Sequence, residues 1–542
     1  MSYQGHGNRK PLLGDHDHEP TKPSANEHLI NTIVYSDVRE PDHVAAAERP
    51  LSSKRALWGW LILCFSTGPT ASMINSYATA SIQSAANRVG HIPGTNKPCA
   101  HRGAIKCVVK LGAGEVDYLS YLRARMYLQA ISRATEGVLC ILVSGLADYS
   151  NNRKTIRMAS IYLFGALALP FAALTDNSYA HLNTLASLYV ISITISSIYK
   201  VLEASYIPIF MRSVGWSKHP EPLQDHVQTE DDDSSRNKWR KGSRVSVLGL
   251  LAGNLGGILA LLIGVIITYT RGSYVTEGYF NFLLAITIGG CLTILCAVAG
   301  HIMLPSIPGA QRPKDKMAFL LPIRTWLKIV GSIRQYPNAF KLCIGWVLWN
   351  TAYSNFIGLL GALFLETSGI KRGSNVYTVY TFMMILFACI GSLGWLLGFH
   401  KSKLHIKSWA YIFLAVNATC LFWGCLGIAK IPIGYKHQAE FWVADALFMS
   451  TSSALRSLNR VMYASLIPSG SEAAFFGLEI TLDLATGWIN PLVQGVIQNR
   501  THNLRFPMIP NLVLMLVSIC LYVWTDVDQG MRDADKTLVS DN

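Results

Sequence analysis

The chain has 542 residues, half of them hydrophobic, and only 15% are charged, against roughly 25% in an average soluble domain. So little charge over such a length excludes a water-soluble protein and points to a multi-pass membrane protein. The formal net charge of +14 does not imply a nucleic-acid partner, because the basic residues cluster in short loops beside apolar blocks, where membrane topology accounts for them.

Residues 1–54 are polar, rich in His, Asp, Asn and Pro, and lack an apolar core behind a basic start. They are expected to be a disordered cytoplasmic tail and not a signal peptide. The first apolar block, about 57–80, opens on Trp58 and Trp60, an interfacial aromatic pair. A long loop, about 81–117, carries Cys99 and Cys107. We read these two as a disulfide, which requires an oxidising lumen; two free thiols are the alternative. Further blocks cover about 118–147, 157–175 and 182–211, then a polar insert at 212–243, then 245–269 and 279–304. A Pro- and Lys-rich connector at 305–338 divides the chain. Six more blocks lie at about 339–365, 376–399, 408–428, 440–466, 474–497 and 507–525, followed by a tail at 526–542. Twelve blocks of helix-spanning length predict an all-α membrane protein with two six-helix bundles, 55–304 and 339–525.

Lys and Arg orient it. Arg153 and Lys154, the 212–244 cluster, the 312–334 cluster, and Lys401, Lys403 and Lys407 follow the even-numbered blocks. Those loops and both termini are therefore expected on the cytoplasmic side. The sequon Asn499-Arg500-Thr501 falls on the opposite, lumenal side, as does the 81–117 loop despite its basic residues.

The fourth block ends Ala204-Ser-Tyr-Ile-Pro208 and the tenth ends Ala464-Ser-Leu-Ile-Pro468. Upstream, Ser196-Ser197 with Lys200 matches Ser452-Ser453 with Arg456, with a four-residue insertion between the copies. A match of helix four with helix ten implies a parallel repeat of two halves with a site between them near the bilayer midplane, the arrangement of major facilitator transporters. Ser144-Gly-Leu-Ala-Asp148-Tyr-Ser-Asn-Asn-Arg153-Lys154 resembles the loop after the second helix of that superfamily. Asp148 can face the positive end of a helix from the other half. With Arg153 and Lys154 it would form a cytoplasmic latch; a solvated turn is the alternative.

The stretch Leu458-Asn-Arg460, Tyr463-Ala464-x-Leu466-Ile-Pro468, Gly470-x-Glu472-Ala473-x-Phe475-Phe476-Gly477, with Asn490-Pro491-Leu492 beyond it, resembles the vacuole effluxer family of that superfamily. These are fungal autophagy-related vacuolar amino-acid exporters and bacterial relatives. Asn459, Ala474 and Asn490 depart from the family's usual Ser, acid and Gly. The resemblance implies a multi-pass vacuole-membrane protein that exports amino acids to the cytosol during autophagy.

Buried ions nominate the site. Arg133 and Glu136 share a face of helix two and could hold the carboxylate and ammonium of an amino acid, or pair with each other as structure. Arg456 and Arg460 on helix ten are one turn apart, as carboxylate anchors, gates, or one side of an inter-half ion pair. Glu203 on helix four, and Glu479 and Asp483 four residues apart on helix eleven, are proton-coupling candidates; for the last two, like charges on one buried face favour proton uptake, and a simple place at the cytoplasmic mouth is the alternative for Glu479. Asn254, Asn350 and Tyr353 add polar contacts, as site or as helix–helix glue. The fifteen histidines lie mainly in tails and loops, and no nucleophile–base or metal spacing emerges. We therefore expect neither an enzyme nor a cofactor, but a monomeric carrier of neutral or cationic amino acids in the lipid bilayer. A non-transporting nutrient sensor or scaffold on the same fold is the alternative.

Overall fold

The computed structural model describes residues 53–78, short stretches between 81 and 91, 108–111, 114–117, 135–149, 152–176, 178–212, 231–271, 280–307, 320–369, 375–468, 470–487, 489–501 and 503–539. Cys99, Cys107 and Arg133 lie outside the described residues. A chain in lipid must satisfy its own backbone amides, and the apolar blocks do so as helices. Helix α1 spans Lys54–Met73, capped by the Ser53 hydroxyl accepting from the Ala56 N–H at 3.1 Å, and runs on as a π-turn, Ile74–Ala78. A small antiparallel hairpin, β1 Val108–Leu111 and β2 Gly114–Asp117, lies in the long loop. Then come α2 Thr135–Ala147, α3 Asn152–Ala168 with a 3-10 extension to Ala173, α4 Tyr179–Arg212, α5 Asp231–Arg271 and α6 Phe280–Met303. After a connector helix, Leu320–Gly331, the second half comprises α7 Pro337–Ser368, α8 Asn375–Lys401, α9 Ile406–Leu426 and α10 Gln438–Ser465. It continues with α11 Glu472–Gly487, extended by a second segment Ile489–Thr501, and α12 Met508–Trp524. A C-terminal helix, Val527–Val539, follows.

Eight described helices are long and apolar enough to span a membrane alone, nine with α12, which is bent by 60° into the C-terminal helix. The other three expected spans fall short for local reasons. Helix α2 is described only from Thr135, α10 carries Glu440, Asp445, Arg456 and Arg460, and α11 is interrupted after Gly487. Within the first half α1 packs along α5 and α6, and α3 along α4 and α6; within the second, α12 lies on α7, and α10 on α8 and α9. The halves meet where α4 crosses α10 and α11, and where α5 crosses α8 and α10.

Three local expectations change. Residues 231–243, expected as part of a polar insert, are the first turns of α5. Trp58 is 60% exposed, but Trp60 turns inward, 1% exposed against Phe210, so the two rings are not an interfacial pair. The repeat ends differently in its two copies: α4 continues through Pro208 to Arg212, whereas α10 stops at Ser465 and the chain turns through Gly470 at φ +87°. That left-handed conformation suits glycine.

Membrane helices gain little from hydrophobic burial and rely on close contact. The glycines of α5 provide it. A Cβ on Gly256 would overlap the Phe65 carbonyl oxygen of α1, and one on Gly68 would lie 2.7 Å from the Gly257 nitrogen. Gly256→Leu is therefore expected to destabilise the α1–α5 contact by at least about 1–3 kcal/mol. A thermal melt in detergent equal to that of the unmodified protein would show that the contact can relax at little cost.

Candidate functional site

Helix α10 brings two arginines to the seam between the halves because residues four apart share a helix face. Arg460 Nη1 reaches across to Glu203 Oε1 of α4 at 3.8 Å, with the two side chains 20% and 12% exposed. A turn earlier, Arg456 Nη2 donates to Asn350 Oδ1 of α7 at 3.3 Å, and Asn350 Nδ2 donates to Asp483 Oδ2 of α11 at 2.9 Å. The Arg456 guanidinium also lies 4.9 Å from the Tyr353 ring centre, a cation–π distance. Tyr353 itself stacks between Trp349 and Phe448, at 5.0 and 5.7 Å. Glu479 is buried between these groups. It interacts with Arg460, Asp483 and Arg456, lies beside the Trp346 ring, and keeps Oε2 without a hydrogen-bond partner.

The result is a mixed-charge cluster built by α4, α7, α10 and α11, with cations and carboxylates a few ångströms apart. Water is scarce at this depth, so each charge needs an opposite charge or a dipole close by. The contact between Arg460 and Glu203 is long and partly open, whereas that between Asn350 and Asp483 is short. On the first half's side, Lys200 Nζ donates to Ser196 Oγ at 3.1 Å, and Lys200 and Glu136 both lie within electrostatic reach of Cys140. Glu136 is buried, 4% exposed. Asn254 is half-buried on α5 and lies near Cys389 of α8, again across the seam.

A second cluster joins the halves at the end of α10. Asp148, just beyond α2, accepts from the Ala473 and Ala474 amides at the start of α11, at 3.2 and 3.0 Å. Those amides are unsatisfied by their own helix and carry its positive end. Arg153 bridges Asp148 at 2.5 Å and Glu472 at 3.1 Å, and Arg212 at the end of α4 also pairs with Glu472. Burial pushes the Asp148 carboxyl up to about 6 despite Arg153. Burial acts on Glu472 in the same sense, but two arginines contact it and hold it down at about 2. Lys154 is only half-buried and has no place in this network. Gly477 lets α11 approach α2 here: a Cβ would collide with the Ser144 side chain.

Several of these groups carry no signal in the sequence. Arg212 closes the network on Glu472 from the last turn of α4, where the sequence pattern reads as the start of a polar loop. Arg157, 1% exposed on α3, lies 5.2 Å from the Tyr206 ring centre, with Cys64 Sγ at 3.9 Å from Nη2 and no partner for Nε or Nη1. Asp445, 0% exposed on α10, has no partner for either oxygen. Asn499 falls in the last turn of the second α11 segment, one residue before the exposed Arg500.

The three family-pattern departures fall on packing or backbone contacts. Asn459 is buried and accepts from the Tyr522 hydroxyl at 2.7 Å, Ala474 contributes its backbone amide to Asp148, and Asn490 donates to Asn511 at 2.6 Å.

Residues 52–535 match the family described as "Vacuole effluxer Atg22 like". A relative named Autophagy-related protein 22 in Candida albicans is 45% identical over 519 residues, which cover 94% of this chain and 98% of that protein. A protein of the same name in Candida glabrata is 21% identical over 507 residues, 88% of this chain and 91% of the relative. Among solved structures, the proton:xylose symporter XylE, a major facilitator superfamily protein, aligns with a TM-score of 0.53 at 11% identity, over 89% of this chain and 96% of its own. The human organic anion transporter MFSD10 aligns with a TM-score of 0.55 at 12% identity, over 88% and 99%. At such identities the likeness concerns the fold: two six-helix halves of the major facilitator type.

Proposed function

This chain belongs to the Atg22-like vacuole effluxer family, and from that premise we propose that it exports amino acids from the vacuole lumen to the cytosol by alternating access. The observation that carries this reading is the contact of Arg460 with Glu203, at 3.8 Å between repeat-matched helices of opposite halves. A free amino acid brings one carboxylate and one ammonium. Arg460 and Arg456 are suited to the first, and Glu203 and Asp483 to the second. The same carboxylates, with Glu479, are the groups that can carry a proton alongside it. Because α4 and α10 belong to different halves, rocking them apart breaks the contact and frees both ions for a ligand.

In this reading the chain acts as a monomer, with the 55–304 and 339–525 halves as the rocking bodies and both termini in the cytosol. Asp148, Arg153 and Glu472 latch the cytosolic side. Lys154 serves only the charge bias of that side, and the sequon at 499–501 belongs to the lumenal end of the chain's second half. The alternative is a sensor or scaffold that binds without transport, which Asn459 and Ala474 would favour if their departure from the family pattern disabled the site. Both residues act in packing and backbone contacts here, which weakens that motive.

The test is counterflow in proteoliposomes with a panel of labelled amino acids. Saturable uptake of neutral or cationic amino acids against an internal unlabelled pool is expected. Binding of an amino acid to the purified protein with no counterflow for any member of the panel would favour the sensor.

A further inference from the structure

Asp445 has no role in the clusters described so far, yet its position is hard to explain as structure. It lies within the first two turns of α10, is 0% exposed, and has no hydrogen-bond partner on either carboxylate oxygen. Val443 and Leu447, each two residues away and 59% and 50% exposed, mark the lipid face. A step of two residues is about 200° of helix rotation, so Asp445 points into the bundle. The eleven residues to Arg456 amount to three turns and about 20°, or about 16 Å along the axis. Asp445 therefore sits on the same stripe as the central arginines, displaced towards the end remote from the Asp148–Glu472 cluster.

Among the described residues, no charge on the neighbouring helices balances it. Helix α5 has no ionisable side chain with a charge between Arg244 and Arg271, α8 none between Asn375 and His400, and α9 none beyond Lys407. On α7 the acid is Glu366, which is exposed, and on α4 the charges nearest this end belong to His181, which pairs with Asp176. Glu440, on α10 itself, is occupied by the Gly434, Tyr435, Lys436 and His437 amides and by Trp423. The described titratable groups that ring contacts and hydrogen bonds place at this depth are the Tyr353, Tyr380 and Tyr435 phenols and the Cys420 thiol, through Phe448, Trp442 and Phe441 and through the Tyr435 hydroxyl donating to the Cys420 carbonyl. None of these is a cation.

We propose that Asp445 is a proton-binding site that licenses burial of the lumenal end of α10. With one proton bound, the neutral carboxylic acid can sit among apolar neighbours as observed. Without it, a carboxylate lacking any partner is driven towards water, and this end of α10 is drawn open. The proton comes from the lumen and returns there, so the reaction is simple acid dissociation at one carboxyl oxygen. The lumenal side of the assignment rests on the carrier reading and its orientation. In that reading, an acidic lumen promotes closure behind a bound amino acid.

Two measurements test it on the full-length protein in lipid. Infrared difference spectra of wild type and Asp445→Asn at about pH 7 should differ by a neutral carboxylic-acid carbonyl band, present in the wild type alone. Spectra without that difference overturn the site, whatever the protein transports. In proteoliposomes, wild-type release of labelled amino acid should rise at least about tenfold as the lumenal pH is lowered from about 8 to about 5. Asp445→Asn should lose that dependence while still exchanging amino acid at symmetric pH, because the amide mimics the neutral acid. A variant that keeps the wild-type pH dependence also overturns the proposal. A wild type that shows the infrared difference but moves no amino acid would instead refute the carrier reading and leave the proton site standing.

Discussion

Arg460→Ala is expected to reduce counterflow by at least about 100-fold, equivalent to about 2.7 kcal/mol, with the protein still folded and in the membrane. Truncating one partner of a poorly solvated ion pair leaves the other uncompensated, at a cost of about 3–5 kcal/mol in buried cases. Here Glu203 loses its cation at 3.8 Å, and Glu479 keeps only Arg456. A loss of transport would not by itself show that Arg460 meets substrate, because a distorted α4–α10 contact would give the same result. Combining Arg460→Ala with Glu203→Gln separates the two. If Arg460 only neutralises Glu203, removing both charges restores transport to within about tenfold of wild type. If Arg460 binds the substrate carboxylate, the double variant stays as inactive as the single one. Unchanged counterflow in the single variant would remove Arg460 from the site altogether.

Part of this site is legible in the sequence for a physical reason. Charges are rare inside apolar blocks, so Arg456, Arg460, Glu203, Glu479 and Asp483 stand out, and the repeat between helices four and ten predicts that they converge. Which groups pair is not legible. Periodicity places Glu479 and Asp483 on one face, but cannot show that Asn350 takes Asp483. Charges near block ends are ambiguous for another reason. Arg157 follows Arg153 and Lys154, a run already explained by the charge bias of loops, and Asp445 follows Glu440 at the opposite end of α10. Nothing in the composition separates a side chain that reaches towards the interface from one turned inward. The connector helix at Leu320–Gly331 is missed because its 12 residues are too few for a span, and the first turns of α5 because they are polar.

The second large effect is expected at the Asp148–Glu472 cluster. Arg153→Ala removes the guanidinium shared by two buried carboxylates. Arg212 still neutralises Glu472, but Asp148 keeps only the Ala473 and Ala474 amides. Leaving that acid without its cation should destabilise the contact between the halves by about 3–5 kcal/mol, which is a shift of about 100-fold or more in the population with the contact broken. The intact contact hides Ala473, 0% exposed at the start of α11. Labelling of Ala473→Cys by a membrane-impermeant maleimide, in a background lacking other reactive thiols, should therefore be slow with Arg153 present. It should accelerate about 100-fold with Arg153→Ala and recover substantially with Arg153→Lys, which restores the charge without the fork geometry. Arg212→Ala should act in the same direction through Glu472, but Lys154→Ala should leave the rate within about twofold, since Lys154 touches neither acid. Equal labelling in Arg153→Ala and its parent would mean that apolar packing, such as Gly477 against Ser144, holds this end closed without the ions.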